Sequence, residues 1–106
     1  MSNILVVLCT FPEVDKARQI GTALVEAQLA ACVNLLPGIE SIYRWRGVVE
    51  RAGEVLAIFK TSEAAWPGFE QRLRELHPYD VPEIVALHPY QVAESYARWV
   101  TGETCP

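Results

Sequence analysis

An α+β fold is predicted for this 106-residue chain: one antiparallel sheet in ferredoxin-like βαββαβ order, with a long hairpin between the second and third strands and a short C-terminal helix. Three observations predict it. Apolar runs rich in β-branched residues alternate with apolar residues at helical spacing, in the order strand, helix, strand, strand, helix, strand. The two middle strands are unusually long and follow each other directly through Gly47. Right-handed crossovers then leave strands one and three central, with both long helices on one face.

Asn3 to Thr10 reads as the first strand, closed by Phe11-Pro12. Val14, Ala17, Gly21, Leu24 and Val25 recur at helical spacing and predict a helix from about Glu13 to Gln28. Ala31 to Leu36 is a second strand; Pro37-Gly38 demands a bend or bulge, and the strand resumes from Ile39 to Trp45. The third strand returns from Val48 to Thr61 around the apolar centre Val55 to Phe59. Trp66, Phe69, Leu73 and Leu76 predict a second helix that begins near Ser62 or Glu63 and stops at His77-Pro78. Glu83 to Leu87 is the fourth strand, and Val92, Tyr96, Trp99 and Val100 mark a terminal amphipathic helix before a frayed tail from Gly102 to Pro106. No linker, repeat or low-complexity tract divides the chain, so residues 1–106 form a single domain.

Hydrophobic residues make up 51% of the sequence and its mean hydropathy is +0.14, more apolar material than one small core requires, which places the surplus at an interface. The net charge of -4, without a run of Lys or Arg, excludes a nucleic-acid footprint. No apolar run spans a bilayer and the amino end lacks a signal-peptide pattern, so a cytoplasmic protein is expected. Cys9, Cys32 and Cys105 form an odd set without CxxC spacing, which suggests reduced thiols.

A sheet covered by helices on one side and water on the other alternates apolar and polar residues. Here Ile4 to Leu8, Val55 to Phe59 and Ile84 to Leu87 are apolar at consecutive positions, so the second face also needs cover. The hairpin arms, roughly 50 Å long at the usual rise, overhang helices of roughly 21 to 24 Å. An overhanging ribbon carrying Ile42, Tyr43, Trp45 and Val48 is an open edge that another copy of the chain would pair with.

Four segments, Leu29 to Asn34, Ser41 to Gly47, Lys60-Thr61 and His77 to Ile84, together resemble the CutA divalent-ion-tolerance family, in the right order over nearly the whole chain. The resemblance implies a ferredoxin-like fold and a homotrimer built through the long hairpins, similar in architecture to the PII signal proteins. It also implies a link to copper or another divalent cation, with none obligatory, and a role other than an enzyme's. Fold transfers more safely than function.

The topology brings the carboxyl ends of the first strand and the second helix together, which places Cys9 and His77 at one end. A thiolate and an imidazole suit copper or zinc, and the family's matching Cys and His look like metal ligands. Leu76 stands where a second His can occur in the family. Tyr43, Trp45, Glu50, Lys60, Tyr79 and Glu83 are expected to line a cleft between subunits that takes a metal ion or a small anionic ligand, with Lys60 as the partner of an anion. Cys32 reads as core, Cys105 as an incidental tail thiol, and His88-Pro89-Tyr90 as a chance echo of His77-Pro78-Tyr79. Two rival readings are a Cys9-dependent enzyme with His77 as its base, for which no oxyanion-forming loop is present, and a ligand-sensing signal protein using the cleft. An RNA-recognition domain shares this strand order, but the middle strands offer aliphatics where it needs aromatics.

Overall fold

A computed structural model describes residues 3–105. Its elements are β1 (Ile4–Phe11), α1 (Val14–Glu26), β2 (Cys32–Trp45), β3 (Val48–Ser62), α2 (Trp66–Leu76), β4 (Ile84–Leu87) and α3 (Glu94–Glu103). The sheet order is β2-β3-β1-β4 with every neighbour antiparallel, so β1 and β3 are central as the crossover rule requires.

Alternation along β1 separates two faces. Leu5, Val7, Cys9 and Phe11 pack with Val55, Ala57 and Phe59 against Ile20 and Leu24 of α1 and Phe69 and Leu73 of α2. Phe59 meets Phe69 edge to face at 5.1 Å between ring centres, a favoured geometry for two buried rings. By register, Val6, Leu8, Leu56, Ile58, Leu36, Val85 and Leu87 share the opposite face. One end of that face is covered by α3, where Val100 seals Ile4 and Ala31. Leu36, Val85 and Leu87 beyond it remain exposed, so one copy of the chain shields only part of its second apolar face.

The hairpin turns through Arg46 and Gly47, whose φ values of 51° and 82° are those of a type I′ turn and match the twist of the arms. The expected bulge falls between Leu36 and Ile39, with Gly38 at φ 80°. The arms beyond it carry the molecule to 44 Å along its longest axis, against 26 and 22 Å across.

Most element ends fall within two residues of those read in the sequence, and two differ in substance. Helix α2 begins at Trp66 because Pro67, without an N–H, fits only the first turn. The carboxyl end does not fray at Gly102: α3 continues to Glu103, and Thr104 is buried with its hydroxyl 2.8 Å from that of Ser62. Pro106 lies outside the described residues.

Candidate functional site

The connection from α2 to β4 leaves the helix layer at His77 and crosses the end of β1 to reach the sheet edge. His77 anchors it. Its Nε2 lies 2.8 Å from the Thr10 carbonyl, which can only accept, so this nitrogen carries the proton. Nδ1 accepts the Tyr79 amide at 3.1 Å, and the ring stacks on Phe11 with centres 4.7 Å apart. Burial pushes the imidazole below its ordinary value, as expected for a neutral ring with both nitrogens engaged.

Tyr79 then reaches across to the hairpin, where its hydroxyl donates to Glu54 Oε2 at 2.6 Å. Glu54 is buried and Tyr79 partly so, and burial followed by this hydrogen bond raises the phenol. The bond ties the loop to β3 beside a cleft of about 730 Å³ that both residues line. Ser41, Tyr43, Trp45, Glu50 and Glu54 line it from the hairpin, and Pro78 to Val81 with Glu83 from the loop. The hairpin residues share one face by register: Tyr43 pairs with Glu50, Ser41 with Ala52 and Trp45 with Val48.

Of the six residues expected in a cleft between subunits, five line this cleft within one chain: Tyr43, Trp45, Glu50, Tyr79 and Glu83. Lys60 does not. It pairs in register with Cys32 and Val6 and its ammonium bonds to Asn34 Oδ1, six residues from Glu54 and so roughly 20 Å along the strand. Instead the lining carries Glu50, Glu54, Asp80 and Glu83, and no Lys, Arg or His among the described residues. Glu54 and Asp80 were not singled out in the sequence. The glutamate lies four positions from Glu50 on the same face, a signal legible once the bulge fixes the register.

Cys9 and His77 do share one end of the sheet, but neither presents a free ligand atom. Cys9 is fully buried, and burial reinforced by Glu83 and Glu54 pushes its thiol up to about 12, far from a thiolate at neutral pH. Both imidazole nitrogens are engaged. Among the described residues no three His, Cys, Asp or Glu side chains gather as a metal-holding group. The remaining candidates stand apart: Cys32, partly buried, meets the Tyr96 hydroxyl at 3.5 Å, His88 pairs with Glu63 at 2.8 Å, and Cys105 is exposed. Among the described residues no helix is long and apolar enough to cross a membrane.

Comparison with known proteins matches residues 5–103 to the family described as CutA1 divalent ion tolerance protein. The divalent-cation tolerance protein CutA of Thermus thermophilus is 48% identical over 99 residues, covering 93% of this chain and 96% of its own. The crystal structure of CutA from Xylella fastidiosa superposes with a TM-score of 0.95 at 35% identity, covering 98% of this chain and all of that one. A structure from Archaeoglobus fulgidus, described as a periplasmic divalent cation tolerance protein, gives 0.91 at 29% identity, covering 95% of this chain and 98% of its own.

Proposed function

The chain belongs to the CutA1 divalent ion tolerance family, and from that premise we propose that it is a non-enzymatic cation-binding protein of PII-like architecture, working as a homotrimer in the cytoplasm, with its ligand in the cleft between hairpin and loop. The observation that carries this reading is the lining of that cleft: four carboxylates and three aromatic rings, with no basic side chain among the described residues that line it. Such a wall lowers the local potential and concentrates cations.

The trimer is supported by what one copy leaves uncovered. Leu36, Val85 and Leu87 on the second sheet face are 42–46% exposed, and Ile42, Val48 and Val49 on the hairpin 57–64%. An apolar sheet face continuous with a long edge strand is stable in water when other copies cover it. Copper fits this chain poorly at Cys9 and His77, since its preferred soft donors are a buried protonated thiol and an imidazole already doubly bonded. The oxygen-rich cleft suits harder cations, which keep part of their water shell and need few protein ligands. A Cys9 nucleophile is disfavoured on the same grounds of burial and a raised thiol.

Native mass spectrometry of protein purified without chelator, titrated with manganese(II) and copper(II), tests the reading. We expect a trimer that takes up manganese(II), with uptake lost in a Glu50→Gln, Glu83→Gln double variant. A monomer, or uptake indifferent to the double variant, would overturn it.

A further inference from the structure

We infer that the hairpin of one copy docks, through the face opposite its cleft, on the loop between α2 and β4 of the next copy; the inference rests on the reading of the chain as a trimer and names the segments that meet. Three observations carry it. The first is where arginines stand without a carboxylate. Every arginine on a helix has one on its own helix, three or four residues away: Arg18 with Asp15, Arg72 with Glu75, Arg74 with Glu70 and Arg98 with Glu94. On the hairpin, Arg44 bonds only to the Gly47 carbonyl and Arg46 lies over Trp45. Neither they nor Arg51 forms an ion pair among the described residues.

The second is the face on which two of them lie. Ile42 pairs with Arg51 and Arg44 with Val49, one position out of step with Tyr43 and Glu50, so alternation sets these four residues on the face opposite the cleft. Along β3, Val49 and Arg51 continue the row of Val55, Ala57 and Phe59 that α1 and α2 cover. The helices stop short of the outer hairpin, and Ile42 and Val49 are left 64% and 60% exposed. Glu40, opposite Gly53, is the one acid of this row. The patch is apolar and basic, and it is separate from the second sheet face that carries Leu36, Val85 and Leu87.

The third is a counterpart of opposite charge on the same chain. Val81 is 71% exposed between Asp80 and, beyond Pro82, Glu83, and neither acid forms an ion pair among the described residues. This loop is held in shape by the bonds of His77 to Thr10 and of Tyr79 to Glu54, so little order has to be imposed on docking. Within one chain it borders the hairpin's cleft face and cannot reach the other. A second copy can: Val81 meets Ile42 and Val49, while Asp80 and Glu83 answer Arg44 and Arg51. Two different patches joined head to tail build a ring when the rotation closes, as a trimer requires. The flanking charges fix the register of the contact, and Glu50 and Glu54 stay on the cleft side for its cation.

Sedimentation equilibrium of the whole protein tests this by charge exchange. We expect an Arg44→Glu, Arg51→Glu variant and an Asp80→Arg, Glu83→Arg variant each to assemble roughly tenfold more weakly or worse, since like charges then face each other. The chain carrying all four substitutions should recover assembly, which also shows that the altered segments fold. Arg51→Gln, which removes a charge without reversing it, should weaken assembly severalfold. A monomeric wild type would overturn the trimer and the inference together. A trimer indifferent to both double variants would overturn the inference and leave the trimer standing. Loss in the double variants without recovery in the fourfold one would give the arginines another acidic partner and overturn their pairing with the loop.

Discussion

Raising the pH should unfold this protein through Cys9. The thiol is fully buried in β1, and burial, with Glu83 and Glu54 adding repulsion, lifts it from 9.0 to about 12. The folded state therefore keeps its proton where the unfolded chain releases it. Stability from this group is fully present below the unfolded value and is lost as pH rises from there through the folded one. Two pH units above the unfolded value, near pH 11, the loss amounts to roughly 3 kcal/mol, a large share of what holds a small domain together. Denaturant midpoints followed by circular dichroism should fall between about pH 9 and 11 in the wild type. Cys9→Ala starts lower because of the cavity it leaves, but its midpoint should fall less steeply over the same interval. Tyr79, raised chiefly by burial and by its bond to Glu54 and least by Cys9, titrates in both proteins and contributes little to the difference. Parallel decline of the two proteins would refute the picture of Cys9 as a protonated structural thiol, and reopen it as a metal ligand or nucleophile.

Three further outcomes follow from the same contacts. His77, lowered by burial, contributes stability above its unfolded value near pH 6.5 that is lost as pH falls below it, so His77→Gln should flatten the acid limb of the midpoint-against-pH curve. Tyr79→Phe should cost about 1–3 kcal/mol in denaturant unfolding, because it leaves the buried Glu54 carboxylate without its hydroxyl donor. Leu36→Asp, placed on the uncovered sheet face, should leave circular dichroism unchanged while sedimentation velocity shows the assembly dissociating to monomers.

Most of the architecture was legible in the chain because its signals are local. Gly47 and Pro37-Gly38 mark the turn and the bulge, and both lie where steric rules place them. The two-sided greasiness of Ile4 to Leu8 foretold a second covered face, and α3 turns out to supply part of the cover through Val100. The burial of Thr104 could not be read, since its signal is a hydroxyl pair with Ser62 more than forty residues away. Five of the six residues expected in a cleft between subunits line a cleft within one chain, and the sixth, Lys60, lies apart from it. Lys60 ends an apolar run and so looked like an anion's partner, yet register carries it to the far end of the strand beside Cys32. Likewise, neighbourhood by topology placed Cys9 near His77 correctly but could not show that the Thr10 carbonyl and the Tyr79 amide use up the imidazole.

An amide-resolved NMR titration of the isotopically labelled protein with magnesium(II), a diamagnetic hard cation standing in for manganese(II), would locate the ligand most directly. Shifts should concentrate along Tyr43 to Glu54 and Tyr79 to Glu83, the two walls joined by the Tyr79–Glu54 bond. Shifts centred instead on Cys32, Lys60 and Tyr96, or scattered over surface carboxylates such as Glu26 and Glu70, would mean that the acidic cleft is not where this protein meets its cation.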